Sequence, residues 1–388
     1  MTARWEKMTQ RKHNASVAAI NPAWAEVDLA AIRHNFRSLS KAAGRGVRLL
    51  CVVKADAYGH GMLETSHALS REGTDFFGVA DLGEGVLLRR SGIKKPVLVF
   101  ANTLPSFAGE LIRFNLTTTV CTFELAVALD RAARKTGKRA KVHIKIDTGM
   151  GRLGVWHEEA LEFIAAVYQL KNIFIEGIYT HFAAADTDEK FTQKQIWDFL
   201  LLNRKLKACG INIPLVHAAN SAGLVDCKVK DFNLARAGLM LYGMYPHPRF
   251  KAKISLKPAL SVKSRMMFVK KIEKGRSISY GRTFVAKRPM AVATIPIGYN
   301  DGYFRILSNK SSVLVGRVSC PVIGRVTMDQ IVTDVSRVKS PRIGMEVVLL
   351  GRQGTREISA DTLAALAGTI NYEVTCSLGN SLPRFYRF

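Results

Sequence analysis

The sequence predicts an α/β protein, a (β/α)8 TIM-type barrel followed by a mainly β C-terminal domain, with a doubly wound open sheet as the alternative to the barrel. Three observations predict it. From about residue 30 to 245, short apolar runs alternate with amphipathic stretches of helical period, the pattern of βα units around a parallel sheet. Polar residues recur at the carboxyl ends of those runs, on the rim where barrel sites are built. Beyond about residue 255 the pattern changes to β-branched runs separated by turn residues.

In chain order, residues 1–20 begin with several basic residues. They include an apolar stretch, Ala15 to Ile20, that is interrupted by Ser16 and is shorter than the roughly 7 to 15 apolar residues of a signal peptide. A mobile tail is expected there, on a cytoplasmic protein. Eight candidate strands follow, at 47–53, 76–80, 97–100, 117–120, 141–147, 173–181, 213–218 and 233–238. Between them lie helices such as Thr122 to Lys135. There Thr122 can cap, apolar residues recur at 125, 126, 129 and 132, and Gly137 stops the helix. Another runs from Phe191 to Ala208 and ends at Gly210. The later β runs are Ala291 to Ile297, Ser312 to Val318, Ile331 to Val335 and Glu346 to Leu350. A chain of 388 residues favours two domains over one. The expected division is a barrel over 21–255 and a β domain over 256–388.

With 48% hydrophobic and 23% charged residues, the composition is that of a folded globular chain rather than a disordered one. No run approaches the roughly 18 to 20 apolar residues of a membrane span. The six cysteines are scattered, with no Cys-x-x-Cys pair and no spacing suited to zinc, so reduced thiols and no metal are expected. The net charge of +26 invites a polyanion, but the basic residues are spread along the chain without a nucleic-acid motif. Dedicated nucleic-acid binding is not expected.

The most informative residue is Lys54. It ends the uncharged run Leu49-Leu50-Cys51-Val52-Val53, where an ammonium is costly unless paired or used, and a desolvated lysine forms Schiff bases with carbonyls. Other rim residues are Asp147 ending strand five, His181 ending strand six, His217 and Asn220 at the end of strand seven, and Arg236 in strand eight. In strand five, period two puts His143, Lys145 and Asp147 on one face, and Arg152 follows a glycine-rich turn that could partner them. Asn220-Ser221-Ala222-Gly223 and Ala237-Gly238-Leu239 lie after strands seven and eight, where barrels often hold phosphate. A Schiff-base lysine facing a phosphate cradle suggests pyridoxal phosphate. In the β domain, Tyr280 within Ser279-Tyr280-Gly281 is a candidate base, with a buried structural tyrosine as the alternative.

The motif Val53-Lys54-Ala55-Asp56-Ala57-Tyr58-Gly59-His60-Gly61 resembles the cofactor-attachment signature of the alanine racemases. The resemblance continues in order through His143 to Arg152, Thr180-His181-Phe182, His217-Ala218-Ala219-Asn220-Ser221, Arg236-Ala237-Gly238, Ser279-Tyr280-Gly281, Met328-Asp329-Gln330 and Asn371-Tyr372-Glu373. It implies pyridoxal 5'-phosphate held covalently by Lys54, which also serves as one base. The opposing base would be Tyr280 from the partner subunit of a head-to-tail homodimer. His181 and Arg236 would tune the cofactor and the tyrosine. Tyr58, Ser221, Gly238, Leu239 and Tyr372 would hold the phosphate, with Asn220 beside them. Arg152 would meet the cofactor's phenolic oxygen and the substrate, positioned by a carbamylated Lys145, and Met328 of the partner subunit would bind the substrate carboxylate through its backbone N–H.

Interconversion of L- and D-alanine is the implied reaction, with D-alanine supply for peptidoglycan as its role and a broad-specificity amino-acid racemase as the alternative. A non-enzymatic carrier would lack the β domain and its tyrosine. A related decarboxylase would carry an acidic residue where Arg236 stands, and a barrel metallohydrolase would show a His-x-His pair, which is missing.

Overall fold

The computed structural model describes residues 20–227 and 229–388, so the expected tail, apart from Ile20, lies outside the described residues. The chain forms two units, one from residues 33–55 and 65–257 and the other from residues 20–32, 56–64 and 258–388.

The first unit is the barrel. Its strands are β1 (Arg48–Val52), β2 (Phe76–Val79), β3 (Val97–Asn102), β4 (Thr117–Val120), β5 (Ala140–Asp147), β6 (Ile173–Tyr179), β7 (Leu215–His217) and β8 (Leu234–Ala237). They pair in parallel from β1 through β7, and β8 returns to pair with β1, Arg236 opposite Leu50. At the remaining seam the Asn233 N–H donates to Val216 O and the Arg236 N–H to Ala219 O. Strand burial explains the apolar runs read from the sequence: Leu50, Cys51, Phe77, Val79, Val97 and Val99 are wholly buried. Their burial between an outer layer of helices and the barrel interior is what a parallel sheet requires.

The helices follow the expected positions with local differences. Helix α1 (Leu82–Arg90) starts at Asp81, whose side chain caps the Glu84 N–H. Helix α2 (Phe123–Lys135) has Thr122 at its N-cap position without a side-chain hydrogen bond, and it buries Ala133 where the sequence pattern pointed to residue 132. Helix α3 (Glu189–Ala208) begins two residues before the expected start because the Asp188 carboxylate caps the Phe191 N–H. Among the described residues no helix is long and apolar enough to cross a membrane.

The second unit is built on a sheet in which strand Ala23–Asp28 lies antiparallel to Leu260–Arg265 and parallel to Arg384–Arg387. Glu346–Gln353, Ser312–Val315 and Val318–Pro321 extend that sheet, and Phe268–Ile272, Met290–Ile295 and Ile331–Asp334 form another. Ile272, Ile278, Met290, Val292 and Ile323 pack into one apolar cluster. Two helices, Ala360–Ala367 and Asn371–Ser381, accompany the strands. The inserted stretch 56–64 is seated on the second of them: a Cβ on Gly59 would collide with the Thr375 carbonyl, and one on Gly379 with Gly59.

Candidate active site

Lys54 stands where β1 stops. The Val53 N–H still donates to Gly78 O of the neighbouring strand, and then the backbone changes hand. Ala55, Asp56, Ala57 and Tyr58 have φ of 51°, 51°, 56° and 55°, so Lys54–Tyr58 begins a turn of left-handed helix made without glycine. Such a conformation costs about 1–2 kcal/mol per residue. Polar groups hold it. Glu84 of α1 accepts the N–H of Ala55 (2.7 Å) and of Ala80 (2.7 Å). Asp56 accepts the Met62 N–H, and the buried His60 ring lies 3.1 and 3.0 Å from the carbonyls of Ala57 and Tyr58. Burial pushes His60 down to about 4, so it is neutral near pH 7. Sequence reading missed Glu84, because nothing in an ordinary helix-start glutamate signals a bond to a strained turn.

Across the rim, Arg236 is buried and both its terminal nitrogens are engaged. Its Nη1 lies 3.0 Å from His217 Nδ1, and its Nη2 donates to Thr180 O and Ala218 O (2.8 Å each) and lies 3.2 Å from His181 Nδ1. Burial lowers its pKa to about 10, which leaves it charged near neutrality. A guanidinium only donates, so both histidines present unprotonated Nδ1 atoms to it. Their pKa values are driven well below the ordinary range, His181 by burial and then by Arg236, Lys145, Arg152 and Lys54, and His217 by burial with His143 and Arg236.

The inward face of β5 is as expected: His143, Lys145 and Asp147 are all buried. Asp147 organises the following loop, its Oδ1 accepting the N–H groups of Gly149 (2.8 Å), Met150 (2.9 Å) and Gly151 (3.2 Å), its Oδ2 that of Arg152 (3.3 Å). Among the described residues Lys145 Nζ has no hydrogen-bond partner, and it lies 4.8 Å from the ring centre of Tyr179, over which Arg236 also sits at 5.2 Å. Burial, reinforced by Arg236, lowers Lys145 to about 7. Tyr179, which sequence reading also missed, stacks on His217 (4.8 Å, 8°) and shares a hydrogen bond with Thr119.

After β7, Asn220 caps the short helix α4 (Ser221–Asp226) through the Gly223 N–H. Ser221 Oγ accepts the N–H groups of Gly238 (3.0 Å) and Met240 (3.4 Å), tying together the two loops proposed from the sequence as a phosphate cradle and setting Leu239 between those bonds. The barrel unit therefore gathers Lys54, Lys145, Asp147, Arg152, His181, His217, Asn220, Ser221, Arg236, Gly238 and Leu239.

Tyr58, Tyr280, Met328 and Tyr372 belong to the second unit. Tyr58 and Tyr372 rings lie 6.0 Å apart. Tyr280 is 74% exposed, contrary to a structural tyrosine, and is flanked by Ser279, Gly281 and Arg282 at φ of 62°, 69° and 49°. The hydroxyl of Ser279 donates to Arg325 O, and Tyr280 edges a cavity of about 280 Å³ with Arg325, Thr327 and Gln330. Met328 is also exposed, at 53%.

Comparison with known proteins agrees with this geometry. The family model described as "Alanine racemase, N-terminal domain" matches residues 27–246, and "Alanine racemase, C-terminal domain" matches 259–386. Alanine racemases of Halothermothrix orenii and Carboxydothermus hydrogenoformans are each 44% identical, covering 94% and 95% of this chain and 97% and 100% of the relative. The solved alanine racemase of Clostridium difficile 630 superposes with a TM-score of 0.89 at 37% identity, over 95% of this chain and 96% of that one. A histidine racemase from Leuconostoc mesenteroides superposes at 0.86 with 27% identity, over 95% and 99%. The left-handed lysine turn, the buried arginine with its two neutral histidines and these matches across both units agree: the chain belongs to the alanine racemase family of isomerases.

Proposed function

We propose that this protein interconverts L- and D-alanine as a cytoplasmic homodimer with shared active sites, using pyridoxal 5'-phosphate and supplying D-alanine for peptidoglycan. The observation that carries the reading is electrostatic. Lys54, Lys145, Arg152 and Arg236 all act on one buried imidazole, His181, while the nearby Asp147 is occupied by four loop N–H groups. Arg236 is buried and Lys54 half-buried, and positive charge gathered there, with Asp147 already occupied, favours anionic ligands. A phosphate ester, a phenolic oxygen and a substrate carboxylate are the anions that fit it.

Lys54 would hold the cofactor covalently, with Tyr58, Arg152, His181, Asn220, Ser221, Arg236, Gly238, Leu239 and Tyr372 around it. When bound, the cofactor supplies an electron sink that eases loss of the α-proton. Arg236 would face the pyridine nitrogen, and a guanidinium that keeps its protons donates a hydrogen bond there without handing over a proton. Lys54 and Tyr280 of the partner subunit would take and return the α-proton on opposite faces, which is the requirement for inverting a stereocentre with two bases. The backbone N–H of Met328 of the partner subunit would orient the substrate carboxylate with Arg152. Removal of the cofactor with hydroxylamine is expected to abolish alanine interconversion, followed by chiral chromatography, and added pyridoxal phosphate to restore it. Activity that survives complete removal would exclude the reading.

Lys145 is proposed to be carbamylated. A buried amine without a hydrogen-bond partner, brought to about 7 by burial, is substantially unprotonated at neutral pH and able to add carbon dioxide. The product places a negative charge among Arg152 and Arg236. Protein equilibrated with ¹³C-bicarbonate is expected to show one carbamate carbonyl resonance that Lys145→Met lacks, and Lys145→Met to lose about 10- to 100-fold in kcat/KM. An unchanged resonance in that variant would assign the carbamate elsewhere.

A further inference from the structure

The Arg236–His217 contact is the start of a longer chain. His217 Nε2 lies 2.8 Å from His143 Nδ1, and His143 Nε2 lies 3.4 Å from Glu176 Oε2, a polar contact short of hydrogen-bond geometry. Glu176 also accepts from Thr117 Oγ1 (3.2 Å) and meets Lys141 Nζ (3.3 Å). The two imidazoles are wholly buried, Glu176 is 9% exposed, and the Lys141 side chain is half exposed. The chain thus runs from the rim through the barrel interior to solvent.

Its direction is fixed by its ends. Arg236 can only donate and an ionised Glu176 can only accept. With neutral imidazoles, one assignment sets a donor toward an acceptor at every link: Arg236 donates to His217 Nδ1, His217 Nε2–H to His143 Nδ1, and His143 Nε2–H points at Glu176. Backbone irregularity is spent on this arrangement. The β5–β6 register pairs Val142 with Ile175 and His143 with Gly177, so Glu176 is the extra residue of a β-bulge, the device that re-aims a side chain. Gly177 gives the His143 ring its space, since a Cβ there would lie 2.7 Å from ring atoms.

We propose that Glu176 is a positioning residue for Arg236, acting through His143 and His217 to fix their tautomers and hold the guanidinium plane at the rim. This rests on the proposed placement of Arg236 at the cofactor ring. Without a carboxylate at position 176, the buried His143 Nε2–H no longer faces an acceptor, or the ring changes tautomer and opposes the N–H of His217, and either outcome loosens Arg236.

The test is Glu176→Met in ¹⁵N-histidine holoenzyme, with Glu176→Gln as the conservative variant whose amide oxygen still accepts. Wild type is expected to show both imidazoles as Nε2–H tautomers. Glu176→Met should shift the His143 and His217 resonances and lower kcat about 10-fold, the low end for loss of an outer-shell partner, with KM little changed. Glu176→Gln should restore the wild-type tautomers and most of kcat. If Glu176→Met does not accumulate folded, Gly177→Ala breaks the same link from the His143 side and should shift the same resonances. Wild-type resonances in a folded chain-breaking variant, or a kcat loss without any change at His217, would overturn the proposal. The tautomers are read in the wild-type protein whether or not it racemises alanine, so failure of the proposed activity is seen separately.

Discussion

Lys54→Ala is expected to remove alanine racemisation to below about 10⁻⁴ of wild type, because it deletes both the cofactor's covalent anchor and one of two proton-transfer groups. The visible colour expected of a lysine-bound pyridoxal should disappear with it. No neighbour stands ready to substitute. Lys145 is on β5, buried beneath the rim against Tyr179, and the cations Arg152 and Arg236 are guanidinium groups that cannot serve as amines. The backbone explains why position 54 matters beyond its amine. Four consecutive non-glycine residues in the left-handed region store roughly 4–8 kcal/mol of local cost if each contributes about 1–2. Glu84, Asp56 and His60 offset it by holding the turn's N–H and carbonyl groups. The lysine Cα is therefore fixed by a conformation that random loop structure would not supply. A variant that kept its colour and turned over within 10-fold of wild type would remove Lys54 from the mechanism.

Tyr280→Phe is expected to lower racemisation about 10²- to 10⁴-fold, the usual contribution of one positioned acid–base group. The colour should stay, because Tyr280 is not the proposed anchor. Its signature is one-sided. In deuterium oxide, the enantiomer whose α-proton faces Lys54 should still exchange that proton with solvent without inverting, while the other enantiomer should become nearly inert. Substitution at an ordinary surface tyrosine would do none of this, and a ring 74% exposed contributes little to the fold, so lost activity cannot be ascribed to unfolding. Equal slowing of exchange from both enantiomers would contradict a base on each face.

Much of the barrel was legible because each strand is a short apolar run and each helix carries its own period and stop. The alternation in β5 placed His143, Lys145 and Asp147 inward, and all three are buried. What was not legible depends on distant or exceptional backbone. Of Ala55 to Tyr58 only Asp56 is of a type that enters the left-handed region with any frequency, and then singly, so a four-residue left-handed turn could not be read from them. The bulge at Glu176 breaks the period-two rule that located its neighbours. Strand Ala23–Asp28 pairs with segments more than two hundred residues away, a register no local pattern encodes. The helices at 360–367 and 371–381 sit within a run of strands, and the second has a weak amphipathic pattern with Gly379 inside it.

The central claim is that each site joins Lys54 of one subunit to Tyr280 of the other. It is tested most directly by purifying the mixed dimer of Lys54→Ala and Tyr280→Phe chains, carried on different tags, and measuring alanine racemisation. Shared sites leave one of the two intact in that dimer, and about half of the wild-type turnover per dimer is expected from two variants that are inactive alone. A mixed dimer as inactive as its parents would show that both groups act within one chain, and would contradict the account.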